Sequence, residues 1–413
     1  MDLRDGQDRV VGALKEHFGF ASFRPGQADA LEAILAGDDV LAVFPTGSGK
    51  SLLYQLPALM RPGLTLVVSP LIALMRDQVA TLKQRGVAAG TLNSGTEAPD
   101  YFATEDALRR RKLRLLYVAP ERLADPDFLR LLREVGVTML AIDEAHCISR
   151  WGHAFRPDYL GLASVRKALG EPQTIGLTAT ADVETRRDIV RKLFRLQPRI
   201  FLQSFDRPNI FLKVAAKQDA ARQIEVELRQ HRGESGIVYC GSRRRTEALS
   251  AYLTSEGHWA VPYHAGMEVE ARARHQDEFL HGLGVVMVAT VAFGLGIDKP
   301  DVRFVCHADL PGSIESYYQE IGRAGRDGAP ATTLALFDPA EVRQRRRYIA
   351  QSAAPEEEKA IDLQRLNALV HLCRSYRCRR VNLLAAFGEA STRCGHCDRC
   401  ADRDRLWRWL GRE

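Results

Sequence analysis

Residues 40–51 read Val-Leu-Ala-Val-Phe-Pro-Thr-Gly-Ser-Gly-Lys-Ser, and this stretch is the strongest indication of the fold. Its five apolar residues predict a buried strand, and its glycines predict a tight turn whose backbone N–H groups can point at phosphates. A helix that begins at Ser51 would complete a strand–turn–helix unit typical of a phosphate loop. The candidate nucleotide ligands in the turn are Thr46, Gly47, Ser48, Gly49, Lys50 and Ser51.

Two side chains of this turn have distinct predicted roles. Lys50 would place its positive charge near the β- and γ-phosphates, and the Ser51 hydroxyl would ligate Mg²⁺. Phe44 stands where the complete textual motif has its first glycine, but the strand–turn–helix context is intact. The alternative interpretation is a glycine-rich loop with a chance lysine.

A second predicted strand, Met139–Ile142, leads directly into two acidic residues. Ligands bind at the carboxyl ends of the strands in an open parallel sheet, so Asp143 and Glu144 are expected at the same edge as the phosphate loop. Asp143 would hold Mg²⁺, and Glu144 would orient and deprotonate the attacking water. His146 would report the state of the γ-phosphate. The alternative is an acidic pair that caps a helix, but together the two motifs predict binding and hydrolysis of a nucleoside triphosphate.

Short apolar strands alternate with amphipathic helices over most of the chain, a pattern that predicts parallel sheets covered by helices on both faces. We therefore predict an α/β protein with two RecA-like domains, at 1–205 and 206–338, and a helical cysteine-bearing region at 339–413. The predicted strands are Val40–Phe44, Leu64–Val68, Leu115–Val118, Met139–Ile142, Thr174–Leu177, Gly236–Tyr239, Ala260–Tyr263, Val285–Val288, Phe304–Cys306 and Thr333–Phe337.

Composition limits the possible classes of function. The 413 residues are 46% hydrophobic, which is enough for cores in two or three domains. The net charge of +6 is compatible with a nucleic-acid partner but does not establish one. No apolar stretch approaches the ~20 residues that span a bilayer. The polar N-terminus lacks a secretory signal core, so a cytoplasmic protein without a membrane partner is expected.

Four of the eight cysteines gather near the C-terminus, at Cys378, Cys394, Cys397 and Cys400. In a reducing compartment such a cluster predicts a metal site, and four thiolates suit tetrahedral Zn²⁺. We expect a structural site, because four protein ligands leave no open position for water. Cys373 and His396 are rival ligands.

Residues 319–326 read Gln-Glu-Ile-Gly-Arg-Ala-Gly-Arg, and they place Arg323 and Arg326 three positions apart. Such spacing predicts that both arginines lie on one face of a helix. Guanidinium groups suit the charge that develops on a transferred phosphoryl group, so both are catalytic candidates that would complete the site when two lobes close. A solvated basic face is the alternative.

These motifs, in this order, resemble the superfamily 2 helicases, and within them the RecQ family of DNA helicases, over about residues 18–400. The resemblance implies that Phe20 stacks on adenine, that Gln27 reads its edge and that Arg24 assists. It also makes Arg326 the arginine finger and Arg323 its partner. The remaining matches are Val68–Gln78 and Leu177–Ala181, which resemble the strand-contact and coupling motifs, and 290–300, which resembles the fifth motif with Thr290 as a DNA ligand.

The most family-specific match is the aromatic-rich loop at 147–159. Trp151, His153 and Phe155 could stack on unpaired bases, worth about 1–3 kcal/mol per base, and Arg156 could take a phosphate. The alternative is that Trp151 and Phe155 are core residues. Because the loop follows the acidic pair, an occupied strand could switch hydrolysis.

The resemblance implies a monomeric 3′→5′ DNA helicase that uses ATP, Mg²⁺ and Zn²⁺ and acts on single-stranded and tailed duplex DNA in repair and recombination. It also implies a location in the bacterial cytoplasm, at the nucleoid. Few residues follow Cys400, so a short form without winged-helix or HRDC domains is expected. Two alternatives stay open: an RNA helicase of the same superfamily, and a DNA-binding or annealing factor that ATP switches.

Overall fold

The computed structural model describes residues 3–93, 95–149, 155–293 and 299–402. The chain divides into two compact units, of which the first ends at Ser204 and the second begins at Phe205. Each unit is built on a parallel sheet. The helical and cysteine-bearing region that follows residue 338 belongs to the second unit.

The sheet of the first unit has the strand order β3-β4-β2-β5-β6-β1-β7, and all of its pairings are parallel. The strands are β1 Val40–Val43, β2 Leu64–Val68, β3 Ala89–Leu92, β4 Leu115–Val118, β5 Val137–Ile142, β6 Gln173–Thr178 and β7 Arg199–Leu202. Strands β1, β2 and β4 are buried along their whole length, as expected for a sheet with both faces covered. Strand β6 lies between β1 and β5. The phosphate loop and the acidic pair therefore follow strands that a single strand separates.

The helices of the first unit pack their apolar residues against this sheet. They are α1 Leu3–Phe18, α2 Gln27–Ala36, α3 Leu52–Met60, α4 Ile72–Gln84, α5 Ala98–Arg109, α6 Pro126–Val135, α7 Leu162–Ala168 and α8 Val183–Leu193. Leu31, Leu53 and Met75 are fully or almost fully buried in one core with the strands. Helices α2 and α3 thus hold both sides of the phosphate loop on a common core.

The second unit contains another parallel sheet, with the order β10-β11-β9-β12-β13-β8. Its strands are β8 Ile210–Ala216, β9 Ser235–Tyr239, β10 Trp259–Tyr263, β11 Val285–Ala289, β12 Val302–His307 and β13 Ala331–Phe337. Its helices are α9 Ala220–Leu228, α10 Arg243–Ser255, α11 Val269–His281, α12 Ile314–Ile321, α13 Pro339–Gln351, α14 Glu356–Arg374 and α15 Arg379–Ala386. Helices α13, α14 and α15 pack on one another and support the cysteine segment.

The predicted fold class is confirmed, and each predicted strand is present with ends that differ by no more than two residues. Strands β3, β7 and β8 were not predicted. They lie at the edges of their sheets, and β7 is largely exposed, so it lacks the continuous apolar run of a central strand. No helix among the described residues is both long and apolar enough to cross a membrane.

Candidate nucleotide site and cysteine cluster

The phosphate loop follows β1 and precedes α3, as predicted. Gly47 and Gly49 have φ angles of +80° and +78°, a left-handed conformation that glycine adopts without steric cost. The Lys50 ammonium donates to the carbonyl oxygens of Phe44 at 3.0 Å and Pro45 at 3.3 Å. The loop therefore holds its cation at the N-terminal end of α3, where backbone N–H groups favour an anion.

Two residues from the predicted adenine motif hold the phosphate loop from outside. The buried Gln27 amide donates to the carbonyls of Ser48 at 2.8 Å and Gly49 at 3.2 Å, and its oxygen accepts the Arg24 N–H at 2.9 Å. The Arg24 guanidinium donates to the carbonyl of Gly47. Contact of Gln27 with adenine stays a prediction, since both ends of its amide already bond within the protein. The observed hydrogen bonds show that Gln27 stabilises the conformation of the phosphate loop.

Strand β5 places Asp143 at the carboxyl edge of the sheet, where its N–H bonds to the Val68 carbonyl at 2.9 Å. Its carboxylate accepts from the Ser69 hydroxyl at 3.4 Å and from the Glu144 N–H at 3.0 Å. Burial and the negative charge of Glu144 raise the pKa of Asp143 to about 7, although Lys50 opposes the shift. A buried carboxylate that lacks sufficient positive charge is a natural place for a divalent cation, and the Ser51 hydroxyl is a second oxygen donor of the kind Mg²⁺ prefers.

Glu144 adopts φ +49°, an uncommon backbone conformation for a residue other than glycine. Its carboxylate lies 3.2 Å from Nδ1 of the buried His146, and the same nitrogen lies 2.9 Å from the Thr178 hydroxyl at the end of β6. Burial alone would lower the pKa of His146, but Cys147 and Glu144 raise it to about 10. His146 thus joins the acidic pair to the Thr178–Thr180 segment, where the Thr178 hydroxyl bonds the Thr180 carbonyl at 3.1 Å.

The predicted DNA contacts are placed only in part. Trp151 and His153 lie outside the described residues. Phe155 and Arg156 are half-buried, and the Arg156 guanidinium donates to the carbonyl of Pro70 at 3.4 Å, in the predicted strand-contact motif. Thr290 follows β11 and donates its N–H to the Tyr263 carbonyl at 3.1 Å. Their contacts with DNA stay predictions.

The prediction that Arg323 and Arg326 share a helical face is wrong. Helix α12 ends at Ile321, and both arginines lie in the turn that follows, where Gly325 has a φ angle of +57°. A Cβ atom on Gly325 would lie 2.4 Å from the Asn209 side chain, so glycine is needed for space as well as conformation. The two arginines are therefore held by a tight turn, which we call the arginine turn (residues 322–326).

The arginine turn lies beside the end of β9. Arg323 is buried and hydrogen-bonds Tyr239, whose hydroxyl also donates to the Phe293 carbonyl at 3.1 Å. Burial raises the pKa of Tyr239 to about 12, although Arg323 and Arg326 oppose the shift, so the phenol stays neutral. Tyr239 thus links the arginine turn to the start of the predicted fifth motif.

The segment that supports the arginine turn carries no motif from which its role could be predicted. The guanidinium of Arg207 donates to three carbonyl oxygens of the turn: Gly322 at 3.2 Å, and Ala324 and Gly325 at 2.8 Å each. In the sequence, residues 206–209 simply follow the predicted boundary between the two domains. Contacts of a side chain with backbone carbonyls more than a hundred residues away leave no signal in a single sequence.

The four clustered cysteines come together in space: Cys378 directly precedes α15, and Cys394, Cys397 and Cys400 follow that helix in the chain. Their sulfur atoms lie within 4.8 Å of one another, with pairs at 3.3, 3.9 and 4.0 Å. A tetrahedral ion with bonds of about 2.3 Å has ligand edges of about 3.8 Å, so the arrangement fits Zn²⁺. Burial opposes ionisation of the Cys378 thiol, but the N–H groups of Cys394 and Val381 outweigh it and lower its pKa to about 7. A low pKa favours the thiolate that binds metal.

The rival ligands lie outside this cluster. Among the described residues, the group with metal-binding geometry contains neither Cys373 nor His396. The His396 ring instead packs edge-on against Phe211, 5.2 Å between centroids. The loop that carries Cys397 is fixed by a buried pair, in which the Arg379 guanidinium donates to both Asp398 oxygens at 2.8 and 2.9 Å.

Three family matches follow one another along the chain. Residues 24–189 match the DEAD/DEAH box helicase family, and residues 217–328 match the helicase conserved C-terminal domain. Residues 339–401 match the RecQ zinc-binding family, which covers the cysteine cluster. The order of the matches is that of the two sheets and the helical module.

Curated relatives extend the likeness across nearly the whole chain. The ATP-dependent DNA helicase RecQ of Haemophilus influenzae is 44% identical over 95% of this chain and 64% of its own length. The probable ATP-dependent DNA helicase RecS of Bacillus subtilis is 43% identical over 85% of this chain and 71% of its own length. The chain thus spans a little less than two thirds of the Haemophilus protein.

Solved structures agree on the fold. The Mycobacterium smegmatis helicase Lhr, bound to single-stranded DNA and AMP-PNP, matches with a TM-score of 0.61 and 26% identity, over 83% of this chain and 50% of that protein. Dbp5 of S. cerevisiae, bound to RNA and ADP-BeF₃, matches with a TM-score of 0.65 over 87% of this chain and 99% of that protein. At 18% identity, the second likeness concerns the fold alone.

Proposed function

The chain belongs to the RecQ family of helicases, and from that premise we propose that it is an ATP-dependent DNA helicase that moves 3′→5′ on single-stranded DNA and unwinds tailed duplexes. The observation that carries the proposal is that one side chain, His146, contacts both the acidic pair and the Thr178–Thr180 segment. Because His146 contacts both Glu144 and Thr178, a change at Glu144 during hydrolysis would be passed to the Thr178–Thr180 segment.

The residues of the first unit would divide the work of hydrolysis. The phosphate loop and Lys50 would bind the triphosphate, and Glu144 would take a proton from the attacking water. Ser51 and Asp143 would hold Mg²⁺, which when bound neutralises phosphate charge. Loss of the γ-phosphate would change the environment of Glu144, and His146 would pass this change to Thr178.

The residues of the second unit would supply the positive charge of the transition state. We assign this role to Arg326, with Arg323 as its partner, because two guanidinium groups on a rigid turn can stabilise the charge on the phosphoryl oxygens without reorganising. Zn²⁺ at the four cysteines would hold the helical module together, since thiolates that fill all four positions leave no place for a reacting group.

Single-stranded DNA would lie against the aromatic-rich loop. Trp151, His153 and Phe155 offer faces on which successive bases can stack. The contact of Arg156 with Pro70 joins that loop to the predicted strand-contact motif, so strand binding and hydrolysis would be coupled. The Lhr relative, which was solved with single-stranded DNA and AMP-PNP, supports the same pair of ligands here.

The test is ATP hydrolysis and strand separation with defined substrates. We expect a DNA strand to stimulate hydrolysis much more than an RNA strand of the same sequence, and a 3′-tailed DNA duplex to be unwound in preference to a 5′-tailed one. Stronger stimulation by RNA would favour the RNA-helicase alternative. Hydrolysis without strand separation would favour an ATP-switched binding or annealing factor.

The remaining parts of the proposal concern the setting of the reaction. A monomer suffices, because one chain contains the phosphate loop, the acidic pair and both arginines. The relatives in Haemophilus and Bacillus are DNA helicases of bacteria by name, and we place this protein in a bacterial cytoplasm, at the nucleoid, with a role in repair and recombination as part of the proposal. Sedimentation of the protein with and without a DNA strand would test the monomer.

A further inference from the structure

We propose that Arg207 is a positioning residue for ATP hydrolysis: it fixes the backbone of the arginine turn and thereby the directions of Arg323 and Arg326. The inference rests on the proposed function, because it assigns Arg207 a part in the same reaction. Arg207 itself need not touch the nucleotide. Its role follows from contacts within the second unit alone.

The contacts of Arg207 are unusually concentrated. Its two terminal nitrogens bond three carbonyl oxygens within four consecutive residues, Gly322, Ala324 and Gly325, at 2.8 to 3.2 Å. Helix α12 ends at Ile321, so these carbonyls lie in the turn beyond it, and one guanidinium gives all three a hydrogen-bond donor. The residues between and beside these carbonyls are the two arginines.

Asn209 holds the same turn from a second direction. Its side-chain amide donates to the carbonyls of Gly325 and Ala329, both at 2.9 Å. Gly325 is therefore bound by Arg207 and Asn209 together. The close approach that excludes any larger residue at Gly325 also limits how far the turn can shift.

The supporting segment is itself anchored on the cysteine-bearing module. The Arg380 guanidinium donates to the Asp206 carboxylate at 2.5 Å and to the Ile210 carbonyl at 2.6 Å, and Arg380 is almost fully buried. The Phe205 ring stacks on Phe387 at 4.7 Å between centroids. The backbone on both sides of Arg207 is thus fixed by Arg380 of α15, which binds Asp206 before it and Ile210 after it. A rigid backbone at Arg207 in turn limits the movement of the arginine turn.

Positioning matters because transition-state charge is stabilised only by groups that are already in place. Arginine side chains that must reorganise lose much of their effect, and a displacement of about 1 Å can cost about 10²-fold in rate. Removal of Arg207 leaves three carbonyls of the turn without their charged donor. The turn would then sample several conformations, and the arginines with it.

The experiment measures DNA-stimulated ATP hydrolysis of the full chain carrying Arg207→Ala, Arg207→Lys or Asn209→Ala. We expect Arg207→Ala to lower kcat by about 10²-fold with a change in KM for ATP of less than about 3-fold, since ground-state binding is untouched. Lysine cannot reproduce the fork that reaches three carbonyls, so Arg207→Lys should fall between Ala and wild type. Asn209→Ala should act in the same direction and more weakly.

A double-mutant cycle separates positioning from loss of stability. If Arg207 acts through the two arginines, Arg207→Ala should lower the rate of ATP hydrolysis much less in an Arg326→Ala background than in wild type, because only the position of Arg323 is then left to lose. The matched control is Arg229→Ala, which removes an exposed arginine paired with Glu225 and Glu256 in the same unit, and it should leave kcat unchanged.

Three outcomes would overturn the inference: an unchanged kcat in Arg207→Ala, a rate loss that multiplies with that of Arg326→Ala, or a rise in KM alone. If Arg207→Ala does not fold, the Lys and Asn209 variants decide the matter by the same criteria. Failure of the proposed function looks different, because wild-type protein would then show no hydrolysis that depends on DNA.

Discussion

The buried pair of Arg379 and Asp398 allows a quantitative prediction about the cysteine-bearing module. Arg379 is 1% exposed, and besides both Asp398 oxygens its guanidinium bonds the carbonyls of Leu372 and Cys373 at 2.6 and 2.9 Å. Arg379→Ala would leave a carboxylate in a poorly solvated position and two buried carbonyls without their donor. Breaking a buried pair by removing one partner costs about 3–5 kcal/mol.

The structure places the expected loss near the lower end of that range. Asp398 keeps two backbone donors, the N–H groups of Val214 at 3.0 Å and Arg399 at 2.6 Å, which still stabilise its charge. We therefore expect a loss of about 3 kcal/mol in the free energy of unfolding of this module. Because Asp398 follows Cys397, zinc should also be released at a lower urea concentration.

The assay is urea denaturation of zinc-loaded protein, with circular dichroism and zinc release to a chromogenic chelator measured on the same samples. The control is Arg346→Ala, an exposed arginine of the same module that makes one hydrogen bond to Asn367 at 2.7 Å. It should change stability by less than about 0.5 kcal/mol. A loss in Arg379→Ala no larger than that of the control would refute this reasoning.

Three further predictions concern the first unit. Lys50→Ala should lower ATP hydrolysis by at least about 10²-fold and leave nucleotide-free binding of a fluorescent DNA strand unchanged; retained hydrolysis would remove the role assigned to Lys50. Phe20→Ala should raise KM for ATP about 10-fold at constant kcat, because a half-exposed ring that stacks on adenine contributes about 1–3 kcal/mol, and an unchanged KM would exclude the stack. The pKa of Asp143 is raised to about 7, so its ionisation should destabilise the metal-free fold as pH rises from about 4 to 7. The melting temperature of metal-free Asp143→Asn, relative to wild type, should therefore increase across that window and level off above it, whereas a pH-independent difference would contradict the shift.

The sequence predicted those parts of the fold whose signals are local. A central strand such as β1 is a continuous apolar run, and the glycines and Lys50 follow it directly, so the strand and the turn could be predicted together. The edge strand β7 is exposed, and β8 begins next to a proline where a join was expected, so neither has that local pattern.

The positions of Asp143 and Glu144 at a strand end could be predicted from the sequence, but the contacts that support the candidate site could not. Asp143 and Glu144 follow an apolar strand, which is a local signal. The hydrogen bonds of Gln27 to the phosphate loop and of Arg207 to the arginine turn join a side chain to distant carbonyls. The helical placement of Arg323 and Arg326 failed for the same reason. Their spacing fits a helix, but the chain forms a turn here because Gly325 is left-handed and the Arg207 guanidinium binds its carbonyl.

If hydrolysis at Glu144 drives strand separation, unwinding measured in real time must depend on this carboxylate. A fluorescently labelled duplex with a 3′ single-stranded DNA tail is mixed with ATP and either wild type or Glu144→Gln. We expect wild type to separate the strands only when ATP is present, and Glu144→Gln to bind the tail without separating them. Strand separation by Glu144→Gln at the wild-type rate, or none by wild type, would contradict the account.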